Sequence, residues 1–235
     1  MNISSHFQIH TKLNPTVWYN GKIRPKVLQR LLTIAHDFIE YIGIPVKIKD
    51  IVITGSMANY NYTEHSDIDI HIIMQFLKVN QNLDLVSEFL LAKRSLWNDK
   101  HEIMIGNHEV EVYPENAGEV HHSTGIYSIL HNKWIKQPKG KTPKGVIDMY
   151  AINAKVNNLI HRINETLSLS TNNKLVKITN LQEKIKKMRQ CGLSKNGEYS
   201  VENLTFKVLR NTGYIKKLWD GAREEKDRIL SLDDV

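Results

Sequence analysis

Cysteine is nearly absent from this chain: Cys191 stands alone in 235 residues, so no internal disulfide can form. Long apolar runs are missing too. No stretch approaches the roughly 18 consecutive apolar residues of an ordinary transmembrane helix. The opening MNISSHFQIHTKLNP has neither a basic leader nor an apolar signal core. These absences lead us to expect a cytoplasmic protein with no membrane segment. The sequons beginning at Asn2, Asn61, Asn164 and Asn203 then carry no glycosylation. A P-loop is excluded as well, because the GKT at 140–142 would need glycine where Ile135 stands. Zinc is not expected at His121 and His122, since no second Cys or His pair with ligand spacing accompanies them.

What is present is ordinary for a globular chain, with 41% hydrophobic and 24% charged residues. The charge is unevenly divided. Residues 1–120 carry 11 Lys and Arg against 14 Asp and Glu, net −3; residues 121–235 carry 21 against 11, net +10. A basic second half suggests a polyanionic partner, although Lys-rich solvated helices would give the same count. PKGKTPKG, residues 138–145, reads as a linker, with two prolines, two glycines and three lysines in eight positions. We therefore expect one domain over 1–137 and a basic helical domain over 146–235.

Periodicity places the elements. Val27, Leu31, Ile34, Phe38 and Ile42 recur at helical spacing behind Pro25, which suits a first helical turn, so a helix should run to about Ile42. VKIKDIVITG reads as a strand ending at Gly55, and residues 84–97 as a second amphipathic helix. HEIMIGNHEVEVYPEN reads as a hairpin turning at Gly106-Asn107. Ile126, Tyr127 and Leu130 fit the core of a helix after the sheet. Further helices are expected over about 146–167, 173–191, 200–218 and 221–231, with Gly192 ending the second of these.

Chemistry concentrates in GSMANYNYTEHSDIDIHIIM, residues 55–74. Its end alternates as a strand with Ile68, Ile70 and Ile72 on one face, so Asp67, Asp69 and His71 must share the other. Two carboxylates about 4 Å apart repel by about 4 kcal/mol at an effective dielectric near 20. A divalent cation would offset this, whereas a solvent-exposed strand face would merely hydrate the pair. Ahead of them the apolar strand runs into Gly55-Ser56, a turn able to present N–H groups and a hydroxyl to an anion. In the later hairpin, Glu109 and Glu111 share a face.

Gly-Ser after a strand, a gap of ten, Asp-x-Asp on a strand and a later acidic strand together resemble the DNA polymerase β-like nucleotidyltransferase superfamily. The quoted stretch is similar to its minimal members and to the nucleotidyltransferases predicted in bacteria and their phages. The resemblance spans roughly residues 25–115 and implies an α+β fold, a small mixed nucleotidyltransferase-type sheet with flanking helices, here followed by a C-terminal helical domain. By that resemblance Gly55 and Ser56 hold an NTP, Asp67 and Asp69, with Glu111, hold two Mg²⁺ or Mn²⁺ ions, and Glu111 also helps activate an acceptor hydroxyl. Glu109 reads as a solvated neighbour, and His71, which is no part of the family signature, as a structural histidine or else a proton carrier supporting the carboxylates. Many minimal members carry a basic residue just after the Gly-Ser turn. This chain has Met57, Ala58 and Asn59 there, leaving Lys93 or Arg94 of the next helix as replacements.

Outside the motif, Ser123, Thr124 and Tyr127 could meet sugar or base, with Tyr127 as the nucleotide-binding candidate. Lys207, Arg210, Lys216 and Lys217, with Tyr214 and Trp219, could hold RNA by phosphate contact and stacking. The expected activity is transfer of a nucleoside monophosphate from an NTP to a hydroxyl of tRNA or another RNA. A protein or small-molecule hydroxyl, and a catalytically silent nucleotide- or RNA-binding module, are the alternatives.

Overall fold

The structure, a computed structural model, describes residues 9–119, 123–138 and 147–232. Its contacts divide the chain into two units, one within Gln8–Lys141 and one within Thr142–Val235. All but Pro138 of the expected linker lies outside the described residues, as do His121 and His122.

The first unit begins with a short hairpin, β1 (Trp18–Tyr19) and β2 (Lys22–Ile23), and then α1 (Pro25–Ile42). Leu31, Ile34, Phe38 and Ile42 are buried along one stripe of α1, as their spacing requires. There follow β3 (Ile48–Ile53), β4 (Ile68–Met74), α2 (Leu83–Lys100), β5 (Met104–Ile105), β6 (His108–Asn116), β7 (Ile126–Ser128) and β8 (Lys133–Lys136). The last six strands form one mixed sheet in the order β5-β6-β4-β3-β7-β8. Only β4 and β6 pair in parallel, and α2 supplies the crossover that such a pair needs.

β4 settles which way the sheet faces. Ile68, Ile70 and Ile72 are fully buried, while Asp69 and His71 between them are half-buried on the opposite face. Each such side chain stabilises the fold by about 1.5–3 kcal/mol when taken from water. A one-residue slip would exchange those three isoleucines for Asp69, His71 and Ile73, so the register is strongly specified. The same core takes in Ile51, Ile53, Val110, Val112 and the α1 stripe.

One expectation is corrected here: residues 126–130 do not start a helix. β7 pairs instead with the free side of β3, Val52 opposite Ser128 and Ile53 opposite Tyr127, and Leu130 is exposed. An apolar run this short fits either period, and an unpaired strand edge decides the matter.

The second unit consists of α3 (Met149–Leu167), α4 (Lys174–Asn196), α5 (Val201–Asn211) and α6 (Tyr214–Leu230). Its core gathers Ile152, Val156 and Ile163 with Ile178, Ile185, Leu204, Val208 and Leu218. Two expected boundaries move. The chain breaks at Gly213, whose φ of +79° favours glycine, and α6 then runs unbroken through Gly221. α4 continues past Gly192 because that glycine serves packing: a Cβ there would lie 2.6 Å from Glu202 Cβ and 2.7 Å from Ser200 Oγ.

Candidate active site

β4 and β6 bring the acidic residues together. Their parallel register sets Asp69 opposite Glu111 and His71 opposite Tyr113, across a strand spacing of about 4.8 Å. Asp67 stands immediately before β4, near enough for its charge to act on Glu109, and Glu109 precedes Glu111 by two residues on β6. The charge is concentrated enough to be felt. Burial first, then the charges of Glu111, Asp67 and Glu102, push the Glu109 carboxyl above its usual range.

Gly55 fits this face closely. Its φ of +72° with ψ of −159° is a conformation that L side chains rarely adopt, and a Cβ there would overlap Asp69 Oδ2. The Gly-Ser turn therefore lies directly against the carboxylate of Asp69. Thr54 N–H donates to the Asp69 carbonyl at 3.2 Å, fixing the two segments together.

Ser56 is positioned through a chain of hydrogen bonds. Its Oγ donates to Ser66 Oγ at 2.9 Å, and Ser66 Oγ accepts Thr63 N–H at 2.9 Å. His108 Nδ1 lies 2.7 Å from the Ser66 carbonyl and Nε2 lies 3.1 Å from Asn14 Nδ2. A carbonyl only accepts, so Nδ1 carries the proton and Nε2 accepts from Asn14. Trp18 Nε1 donates to the Met57 carbonyl at 2.7 Å, and Asn59 Nδ2 donates to Thr124 Oγ1. Gly125 has no room for a Cβ against the Ala58 carbonyl. The turn is thus held on every side by segments remote in sequence.

At the β6 side, the Tyr113 hydroxyl donates to Glu111 Oε2. The Tyr113 ring stacks on His71 with centroids 5.0 Å apart, and the Arg94 guanidinium lies 4.7 Å from its centroid. Burial leads the forces that hold the phenol protonated, followed by the Asp69 charge, the hydrogen bond to Glu111 and the Glu111 charge; Arg94 opposes them. His71 Nδ1 is 2.7 Å from Glu115 Oε2, so the imidazole is oriented by a carboxylate and packed by a ring.

Some expected residues lie elsewhere. Tyr127 sits opposite the core-facing Ile53 and points to the other face of the sheet from Asp69. It is fully buried, its ring edge-on to Trp18 and Trp134, and its hydroxyl donates to Asn132 Oδ1 at 2.7 Å. The structure places Tyr127 in the packed core, away from the face that carries Asp69. Lys93 turns toward α1, where Nζ donates to the Tyr41 carbonyl at 3.1 Å. Arg94 stands at β6, separated from the Gly-Ser turn at β3 by the intervening β4.

The donor set suits a hard cation. Among the described residues no group of three or more His, Cys, Asp or Glu side chains converges as a ready cage. Mg²⁺, however, is ordinarily held by one or two carboxylates together with substrate phosphates and water. Asp67 and Asp69 beside an anion-receptive turn supply that partial set, and the crowded charge felt by Glu109 is what a cation would relieve.

No family model matches the chain, and no curated protein matches it. Among solved structures it is similar to a STING-associated CdnE c-di-GMP synthase from Capnocytophaga granulosa, at 14% identity over 90% of each chain with a TM-score of 0.23. A TM-score this low carries no weight for fold or activity. The mixed α+β architecture and the carboxylate face are read from this chain's own strand order and register.

Proposed function

We propose that this protein is a nucleotidyltransferase that moves a nucleoside monophosphate from an NTP to an acceptor hydroxyl, with RNA, tRNA included, as the acceptor class. The observation that carries the reading is the seating of Gly55 against Asp69, which joins a turn able to receive phosphate to a face bearing Asp67, Asp69 and Glu111. Such a juxtaposition is of little use to a merely solvated strand.

The acceptor oxygen forms a bond to the α-phosphorus as the bond from that phosphorus to the bridging oxygen breaks, and pyrophosphate leaves with the electron pair. Gly55 and Ser56 orient the triphosphate, the glycine by allowing close approach and the serine through its hydroxyl. Glu111, held at one oxygen by Tyr113, receives the acceptor's proton at the other. Mg²⁺ or Mn²⁺ would be held by Asp67 and Asp69 with Glu111 nearby, and would supply charge stabilisation to the phosphates.

Pyrophosphate release with Mg²⁺ or Mn²⁺ tests this. Asp67→Asn and Asp69→Asn should each abolish it while leaving circular dichroism and melting close to wild type. Turnover surviving in either folded variant would overturn the assignment.

A further inference from the structure

α4 is the most one-sidedly charged helix of the chain, with seven Lys and Arg and a single acid, Glu183. Ile178, Leu181, Ile185 and Gly192 are its buried residues and fix the face turned to the core. At about 100° per residue, Lys177, Asn180, Lys184, Lys187, Cys191 and Lys195 fall within one sector about 80° wide on its outer flank. All six are exposed. That sector contains no carboxylate and no apolar side chain. Lys187 pairs with Glu183 at 3.8 Å, but both side chains are well exposed and such a pair is weak. Lys195 lies near enough to Glu202 to help lower its pKa. Lys177 and Lys184 have no acidic partner among the described residues.

We propose that this row along α4 is the surface on which the helical unit holds RNA. From Lys177 to Lys195 it runs about 27 Å, too far for one small ligand to touch both ends. A rigid line of ammonium groups interrupted by an amide fits a repeating phosphate backbone, with Asn180 able to reach sugar or base. A membrane surface fits less well, because helices that lie on bilayers bury an apolar face and this row has none. The inference rests on RNA as the acceptor class in the proposed function, and it adds where the RNA is bound. It also differs from the sequence expectation, which placed the basic surface on residues 207–217.

Cys191, the chain's lone cysteine, sits inside the row and reports on it directly. The full-length protein is alkylated with a maleimide in low salt, alone and with a tRNA pool. RNA should slow alkylation by about tenfold, and added salt should restore the rate. A variant combining K177Q, K184Q, K187Q and K195Q should fold normally, since all four sites are exposed and glutamine is a good helix former. Its affinity for the same RNA should fall on the order of 100-fold. The slope of log affinity against log salt should be shallower by roughly 3, at about 0.7 per phosphate contact for four contacts.

Unchanged affinity and slope in the fourfold variant would overturn the proposal. So would protection of Cys191 by anionic phospholipid vesicles or by an acidic protein but not by RNA. Because no step of the experiment needs catalysis, the two readings fail separately. RNA bound at Cys191 without label transfer sinks the transferase, whereas transfer to RNA undiminished in the fourfold variant sinks the α4 surface.

Discussion

Gly55 and Asp69 lie directly against each other in the site, and each constrains the other. Gly55→Ala places a methyl into the Asp69 carboxylate and demands a backbone conformation that costs an L residue about 1–2 kcal/mol. We expect a drop of a few degrees in melting temperature and loss of nearly all pyrophosphate release. A Gly55→Ala enzyme with wild-type turnover would show that the turn does not need to approach Asp69. Tyr113 is the second informative residue. Tyr113→Phe keeps the stacking on His71 and Arg94 but removes the hydrogen bond to Glu111. The expected result is a kcat lowered about tenfold with KM for NTP little changed, since one hydrogen bond to a charged group is worth about 1.5–3 kcal/mol. Equal kcat in the two enzymes would leave Tyr113 a packing residue only.

Among the elements, the helical unit carries its own pH dependence. The hydrogen bond from Lys155 lowers the Glu202 carboxyl, and the hydrogen bond from Arg228, with Lys174 nearby, lowers Glu225. Both therefore sit below the ordinary 4.5 when folded, and between the two values the unfolded chain binds more protons. Their stabilisation is present above about pH 4.5 and is lost as the pH falls through the lowered values. Acid titration of helicity should show this, and Glu225→Gln should flatten the descent; an unchanged acid limb would mean the carboxylate contributes nothing.

Elements that follow one clean period were readable in advance. Pro25 and the α1 stripe, the alternating isoleucines of β4 and the turn at Gly106-Asn107 each appear where the pattern put them. Ile126 to Leu130 was ambiguous because five residues cannot separate a period of 2 from one of 3.6, and only pairing with β3 resolved it. Gly192 looked like a stop and Gly221 like the start of a separate helix, yet each sits where another chain segment comes too near for a Cβ, a fact that only packing reveals. The residues that brace the site were the least legible. Asn14 and His108 meet across 94 positions of sequence, and no local signal ties either to Ser66.

At the scale of the molecule, the charge split acquires a location. The first unit presents a carboxylate face beside an anion-receptive turn, and the second presents a basic row on α4. Each unit has its own core, so variants in one should leave the other folded. Among the described residues no helix is long and apolar enough to cross a membrane. Under the proposed function, the first unit would take the NTP and the second the polyanionic acceptor.

The central claim is transfer, and one measurement addresses it. The protein is incubated with each α-labelled NTP and Mg²⁺ or Mn²⁺, in separate tubes holding tRNA, other RNA, DNA or protein, beside the Asp69→Asn variant. Label moving to an RNA pool with wild type and not with the variant is the predicted result. Label moving equally with both proteins, or to no pool although NTP binds, would contradict it.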